Sequence, residues 1–309
     1  MTVQSHNQLH PALQFLIFIL LLVAIIFIGN IIGAGIAVAL YGIHAVMDIA
    51  QLKFTEPHVI NALWIIQIAG TTLPILAAPI FFAFVIAREP RDYLKPDFRF
   101  PWVLMLLVFV IMFVSTPLIE FLSNINQKMV LPHFLSWMRD KEIEAQKLTE
   151  AMLQMNTIWD MIKDVLLVGL LTAIVEEFMF RGVLQTIFVR WTKNTHAAIW
   201  LTAILFSAFH MQFFGFLPRL LLGALFGYFV AWSGSVWTGV WAHFINNGTA
   251  VVATYLFQKK TIKINPDDQH LFGYSGYIFS LVVILFLFFI YRKIALEKRL
   301  VPATAEQTN

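Results

Sequence analysis

The chain has 309 residues, of which 59% are hydrophobic and only 13% are charged, and its mean hydropathy is +0.76. Soluble domains carry about 25% charged residues, so this composition excludes an ordinary soluble domain and indicates helices that cross a bilayer. In such a protein, Lys and Arg mainly fix the orientation, so the formal net charge of +3 does not indicate a nucleic-acid partner. The absence of cysteine excludes disulfides, thiolate nucleophiles and cysteine-ligated metal sites.

Eight apolar segments follow one another along the chain and predict an all-α, polytopic membrane protein. The first segment lacks a basic n-region and is longer than the apolar core of a signal peptide, about 7–15 residues, which favours a retained span. The predicted spans are 13–41, 59–87, 101–123, 161–189, 197–213, 216–232, 235–257 and 271–291.

Basic loops predict the orientation of these spans. The loop 88–99 and the segment 292–299 each hold four Lys or Arg residues, and such residues are enriched on the cytoplasmic side. With an even number of spans, both termini are therefore expected in the cytoplasm, and the expected location is the plasma or inner membrane. The lysines in 259–263 fall on the predicted outside and argue against this orientation.

Residues 134–157 differ from the spans because their apolar residues recur at helical spacing among many charged residues. This pattern fits a helix in the membrane interface, or a solvated helix that packs on its own protein, and both alternatives stay open. The predicted organisation is spans 1–3 in residues 1–130, the amphipathic segment in 131–160, a four-span catalytic module in 161–257, and the last span with a cytoplasmic tail in 258–309.

The fourth span contains "IVEEFMFRG", residues 174–182, in which three ionisable side chains stand among apolar ones. Glu177 and Arg181 are four residues apart, so they share a helix face and are predicted to pair as structural support. Glu176 lies about 100° around the helix. Two carboxylates and one guanidinium leave one negative charge to be matched by a proton, a cation or a donor from another helix, which makes Glu176 the candidate for chemistry.

Two later spans offer partners for Glu176. His210 closes "FSAFH", and His243 and Asn247 are four residues apart in "HFINN" and therefore share a face, whereas Asn246 points elsewhere and is left out. A carboxylate can act as a general base toward water, while imidazole and carboxamide N–H groups can stabilise an oxyanion. Alternatively, Glu176, His210 and His243 are the ligand set of a catalytic zinc with an open position, so zinc stays open as a cofactor.

Other catalytic motifs do not occur in the sequence. There is no H-E-x-x-H, no G-x-S-x-G with a plausible histidine and aspartate, and no G-x-x-x-x-G-K-[ST]. These absences argue against helical zinc proteases of that type, serine hydrolases and ATP-driven transport.

Three motifs in order carry a resemblance to a known family. "EEFMFR" fits E-E-x-x-x-R, "FSAFH" fits F-x-x-x-H, and "HFINN" fits H-x-x-x-N. In these motifs the chain resembles a bacterial member of the CPBP family, which includes the type II CAAX prenyl endopeptidases and the bacteriocin-processing and immunity proteins. The resemblance covers about residues 160–257.

The resemblance implies that the protein hydrolyses peptide bonds within the membrane. By the family pattern, Glu176 activates water with help from His210, His243 and Asn247 bind the oxyanion, and Glu177 and Arg181 support the site. The family has been interpreted both as metalloproteases and as glutamate-dependent enzymes, so the metal stays open. The expected partners are the bilayer and a membrane-protein or peptide-precursor substrate, with no nucleic acid, and neither prenylation of the substrate nor the oligomeric state is predicted.

Two other classes of function compete with the endopeptidase. A proton- or ion-coupled transporter would use buried Glu and His as a relay, but transporters usually show two related halves, and the polar residues here lie in one half. A non-catalytic immunity or binding protein would keep the fold without chemistry, and the complete set of Glu, His, His and Asn argues against it.

Overall fold

A computed structural model describes residues 9–54, 56–263, 265 and 271–299. Within these ranges the secondary structure is helical and no strand occurs, which confirms the predicted all-α class. Residues 1–8 and 300–309, which include most of the predicted cytoplasmic tail, lie outside the described residues. The α-helices are α1 Pro11–Ala50, α2 Pro57–Ile66, α3 Leu73–Phe81, α4 Pro90–Leu94, α5 Val103–Gln127, α6 Ser136–Met152, α7 Ile158–Asp164, α8 Thr172–Glu177, α9 Gln185–Thr192, α10 Thr195–Phe209, α11 Phe216–Ser233, α12 Val236–Gln258 and α13 Tyr274–Arg299.

Among the described residues, four π-helical segments interrupt or end the helices. They are Gln67–Thr72, Phe82–Ile86, Val165–Leu171 and Phe178–Leu184. A π-helical turn bonds residue i to i+5 and widens the backbone, and such turns occur frequently at functional sites. Two of the four lie in the run from Ile158 to Thr192, on either side of Glu176 and Glu177.

Within the described residues, five helices are long and apolar enough to cross a membrane, which confirms a polytopic membrane protein. These helices are Pro11–Ala50, Pro57–Ile86, Val103–Gln127, Phe213–Ser233 and Tyr274–Glu297. The other three predicted spans correspond to the interrupted run Ile158–Thr192, to the shorter Thr195–Phe209, and to Val236–Gln258, where a histidine and two asparagines lower the hydropathy. Eight spans and their orientation remain predictions.

The predicted end of the fifth span at residue 213 is wrong. Helix α10 ends at Phe209, and Met211 turns into the left-handed region with a φ of 54°. The Met211 N–H bonds to the Ala208 carbonyl at 3.0 Å, which closes a turn instead of continuing the helix. His210 therefore lies in a turn just beyond the helix.

The described residues form two compact units, and each is treated by itself. The first unit consists of residues up to 95, 143–154 and 174–201. In it, α1 packs on the second membrane span through small residues: a Cβ atom at Gly29 would lie 2.7 Å from the Ala69 carbonyl oxygen, and the Asn30 amide donates to the Gly70 carbonyl at 2.9 Å.

The second unit consists of residues 96–142, 155–173 and 202 onward. In it, α5 contacts α11, α12 and α13. The Glu120 carboxylate of α5 accepts from the Leu271 and Phe272 N–H groups at 3.2 and 3.1 Å, and from the Tyr277 hydroxyl at 2.9 Å. Glu120 thereby fixes the start of α13. The four-segment division of the chain stays a prediction.

Candidate active site

A fully buried ion pair forms the centre of the first unit. Arg181 Nη1 lies 2.8 Å from Glu177 Oε1, and both side chains have 0% exposure. The predicted pairing is therefore present, although it bridges the junction between α8 and the π-helical segment Phe178–Leu184. A charge without water depends on its partner, so neither residue of the pair can be removed alone without a large loss of stability.

Glu176 has different surroundings from its neighbour. Its side chain is half-buried, whereas the Glu177 side chain is wholly buried. Successive residues of a helix point about 100° apart, which separates the two carboxylates by direction. Glu176 is therefore the less buried residue of the two, although its Oε2 atom is buried.

The loop after the second membrane span holds the helix that carries these carboxylates. The Lys95 ammonium donates to the Arg181 carbonyl at 3.3 Å and also to the Thr186 hydroxyl. A Cβ atom at position 182 would lie 2.7 Å from the Tyr93 carbonyl oxygen, so Gly182 is what allows the loop to approach this closely. In the sequence, Lys95 was noted only as one of the basic residues of the loop 88–99, and no role was predicted for Gly182.

A second ionic group anchors the same loop to α9. Arg190 lies 2.6 Å from Glu89 Oε2, donates to the Tyr93 hydroxyl at 3.2 Å, and stacks on the Tyr93 ring at 4.6 Å. The Tyr93 hydroxyl in turn donates to Gln14 of α1. Burial raises the pKa of this hydroxyl, so Tyr93 stays neutral in this cluster. The carboxylate-bearing helix is thus fixed at its far end by charged groups.

In the second unit, the orientation of His210 follows from one hydrogen bond. His210 Nδ1 lies 2.8 Å from the Phe206 carbonyl oxygen. Because a carbonyl oxygen only accepts, Nδ1 carries the proton, and in the neutral ring Nε2 is left with a lone pair. His210 therefore presents a proton acceptor at Nε2.

His243 lies in an aromatic pocket of the same unit. Its ring stacks on Phe226 at 5.1 Å between centroids, and Phe206 meets it edge-on at 5.7 Å. Phe206 also meets the His210 ring edge-on at 5.1 Å. One phenylalanine therefore contacts and orients both imidazoles, and in the sequence this residue was noted only as the first position of the F-x-x-x-H motif.

Asn247 is held by a backbone carbonyl and by its neighbour in sequence. Its Nδ2 donates to the Val168 carbonyl at 3.3 Å, within the π-helical segment Val165–Leu171, and its Oδ1 accepts from Asn246 Nδ2 at 3.1 Å. Since Oδ1 is occupied by Asn246, the amide turns its N–H groups away from that side. Asn246 therefore orients Asn247, although Asn246 was left out of the predicted site. The sequence signal for this contact is only that the two residues are adjacent in "INNG".

A preformed metal-ligand group is absent from the part of the chain that the structure describes. No three or more His, Asp or Glu side chains there are grouped so that they could hold a metal ion. The zinc ligand set predicted from Glu176, His210 and His243 therefore has no counterpart in this arrangement, and zinc remains a hypothesis.

The predicted site residues divide between the two units. Glu176, Glu177 and Arg181 belong to the first unit, where the last two are in contact. His210, His243 and Asn247 belong to the second unit, where both rings contact Phe206. The chemical groups present are the carboxylate of the half-buried Glu176, an imidazole acceptor, and an imidazole and a carboxamide that can donate N–H groups.

Comparisons with known proteins bear on the segment that contains all six of these residues. Residues 158–249 match the family described as type II CAAX prenyl endopeptidase Rce1-like. The chain is 31% identical over 113 residues to the uncharacterized protein YpbD of Bacillus subtilis (strain 168), an alignment that covers 35% of this chain and 53% of that relative. The chain thus spans about half the length of the curated relative it matches. No solved structure is significantly similar to the chain. The resemblance indicated by the three motifs is therefore confirmed for residues 158–249, which match the family described as type II CAAX prenyl endopeptidase Rce1-like.

Proposed function

We propose that this protein is an intramembrane endopeptidase that hydrolyses peptide bonds through water activated by Glu176. The observation that carries the proposal is the Rce1-like region, because its residues 158–249 contain every group the reaction requires. The family description names a prenyl endopeptidase, and peptide-bond hydrolysis is the reaction that a carboxylate, two imidazoles and a carboxamide can perform together.

Glu176 takes the role of general base. Its side chain is half-buried, and the adjacent Glu177–Arg181 pair and the Lys95 contact hold the backbone on which it stands. The carboxylate accepts a proton from water, and the resulting hydroxide adds to the carbonyl carbon of the scissile bond. His210 assists through the lone pair at Nε2, which can accept a hydrogen bond from the same water.

The negative charge then moves to the carbonyl oxygen of the substrate. His243 and Asn247 stabilise this oxyanion through an imidazole N–H and a carboxamide N–H. Collapse of the tetrahedral intermediate breaks the C–N bond, and the proton held by Glu176 passes to the leaving amine. The carboxylate is thereby regenerated, and atoms and charges balance without a further reactant.

The proposed substrate is a membrane-associated protein or a peptide precursor. The apolar helices of the chain support a reaction at a bilayer, which a substrate reaches from the membrane or its surface. The proposed setting is the cell membrane, with both termini in the cytoplasm.

The test compares detergent-purified wild type with Glu176→Gln on a library of transmembrane and membrane-proximal peptides, with and without a chelator. We expect wild type alone to cleave, with a loss in the variant of about 10²–10⁴-fold or more. Glu150→Gln is the matched control, because Glu150 is an exposed carboxylate of α6 that contacts Gln146.

Each outcome of this test decides a point. Chelator-resistant cleavage supports Glu176 acting directly on water, and cleavage lost with chelator and restored by zinc supports a metalloprotease. Undiminished cleavage by Glu176→Gln overturns the role of Glu176. No cleavage by folded wild type across a broad library favours a binding or immunity protein, and proton- or ion-driven uptake into vesicles favours the transporter.

A further inference from the structure

The backbone directly after His210 is strained and is held by side-chain contacts. Met211 adopts a φ of 54°, in the left-handed region that is unfavourable for a residue with a side chain. Such a conformation persists only where the surrounding structure determines it. The contacts that determine it lie in the segment 212–217, here called the His210 loop.

Asn126 holds the His210 loop at two points. This residue lies near the end of α5, and its side chain is fully buried. Its Nδ2 donates to the Phe213 carbonyl at 2.9 Å, and its Oδ1 accepts from the Leu217 N–H at 2.6 Å. One carboxamide therefore bonds the backbone at the first residue of the short 3₁₀ turn Phe213–Gly215 and again just after the turn, at Leu217.

Other side chains hold the same loop at single places. Glu142 Oε2 accepts from the Phe214 N–H at 3.1 Å, and Ser207 Oγ donates to the Phe216 carbonyl at 2.7 Å. The Arg219 guanidinium donates to the Gln212 carbonyl at 3.1 Å and contacts the Gln212 side chain. Asn126 differs from these residues because it bonds two separate backbone groups while wholly buried.

The loop bears on His210 because they are adjacent in the chain. The His210 ring is fixed at Nδ1 by the Phe206 carbonyl, but its Cα is joined through Met211 to the loop. A shift of the loop would therefore turn His210 relative to Phe206. Displacement of a catalytic group by about 1 Å can cost about 10²-fold in rate.

We propose that Asn126 is a positioning residue that sets the orientation of the His210 imidazole through the His210 loop. This proposal rests on the proposed function for the role of His210 in catalysis, but the orientation itself is measurable without activity. Asn126 lies outside the Rce1-like region, so its role is argued from the contacts of this chain alone.

The experiment uses full-length protein and the variant Asn126→Leu, which keeps the side-chain size and removes both hydrogen bonds. We expect kcat for a cleaved peptide to fall about 10–100-fold with KM changed less than about twofold. Asn124→Leu is the matched control, because Asn124 is on the same helix and its amide lies 3.4 Å from the Tyr277 hydroxyl of α13. A control variant that lowers kcat as much as Asn126→Leu overturns the proposal.

A double-mutant cycle with His210→Ala shows whether Asn126 acts through the histidine. If it does, Asn126→Leu changes the residual rate of His210→Ala by less than about twofold, because residues that act as a unit are not additive. A further loss equal to that seen with His210 present overturns the proposal.

NMR of protein with labelled histidine separates this proposal from the proposed function. The His210 imidazole signal, assigned by its loss in His210→Gln, should shift or broaden in Asn126→Leu and stay in place in Asn124→Leu. If wild type cleaves nothing, this readout still applies, and an unchanged His210 signal overturns the positioning role. Where Asn126→Leu does not fold, Asn126→Asp serves in all three measurements, because it keeps the acceptor for the Leu217 N–H and loses the donor to Phe213.

Discussion

The two regions that carry the candidate residues are stabilised by different kinds of contact. Around Glu177 the contacts are ionic: a fully buried guanidinium–carboxylate pair, and an ammonium that donates to the Arg181 carbonyl. Around His243 they are neutral: aromatic rings, and amides that bond to each other and to the Val168 carbonyl. Each region uses a carbonyl within a π-helical segment as an acceptor, but one receives a charged donor and the other a neutral one.

This difference determines how each region responds to a substitution. Removal of one charged side chain leaves the other charge buried without a partner. The free energy of unfolding then falls, because the remaining ion stays dehydrated in the folded state. Removal of a neutral hydrogen bond costs about 0.5–1.5 kcal/mol, and the main consequence is a side chain that points elsewhere. The ionic region is therefore expected to fail by unfolding, and the neutral region by loss of orientation.

The largest expected effect comes from Arg181→Met. This change leaves the wholly buried Glu177 carboxylate without its guanidinium, and we expect a loss of about 3–5 kcal/mol in the free energy of unfolding. The double variant Glu177→Met with Arg181→Met should recover most of that loss, since both charges are gone. Denaturant unfolding in mixed micelles measures both values. A double variant as unstable as the single one would contradict the expectation that an unpaired buried charge causes the loss of stability in the ionic region.

A smaller effect on stability is expected from Asn246→Leu. The change removes the donor to Asn247 Oδ1, and we expect a loss of about 1 kcal/mol in the free energy of unfolding and of about tenfold in kcat. In the Asn247→Ala background the same change should alter kcat less than about twofold. Full additivity of the two variants would show that Asn246 does not act through Asn247.

The smallest expected effect concerns Asp160 at the start of α7. The Thr157 N–H donates to its carboxylate at 2.8 Å and Asn156 N–H at 3.0 Å, and the Thr157 bond is the main cause that lowers the pKa of Asp160. A lowered pKa in the folded state contributes stability above the pKa of the unfolded chain, about 3.9, and this contribution is lost as the pH falls through the folded value. Asp160→Asn should therefore be less stable than wild type at pH 6, by under about 1 kcal/mol, and the difference should shrink as the pH falls below about 3.9.

Thermal unfolding at a series of pH values measures this difference. Asp140→Asn is the control, because Asp140 is exposed on α6. A difference between wild type and Asp160→Asn that stays constant down to about pH 3 would show that the capping contacts do not depend on the charge.

Local sequence patterns were sufficient for several features. Runs of apolar residues predicted the all-α membrane class, because the bilayer permits few other structures. The spacing of four residues predicted the Glu177–Arg181 contact, because both partners lie on one helix and need no other element to meet. The extent of the fifth span was predicted wrongly, because Met211 and Phe213 are apolar but lie beyond the end of the helix at Phe209.

Contacts between distant segments required the tertiary structure. Lys95 reaches the Arg181 carbonyl across 86 positions, and Asn126 reaches Phe213 across 87. Neither contact could be predicted from helical periodicity, because periodicity relates residues that are close in sequence and these contacts join distant segments. Asn246 was assigned to a separate face by helical geometry, yet adjacent amides are long enough to bond to each other.

By itself, then, the sequence determined the membrane class and the segment that matches the family, and it predicted which residues do chemistry, because each of these depends on composition or on spacing within one segment. The tertiary structure decided which carboxylate is wholly buried with Arg181, which nitrogen of His210 carries the proton, and which side chains hold the loop beside it. These features depend on burial and on partners from other helices, which only the folded chain brings within hydrogen-bond distance.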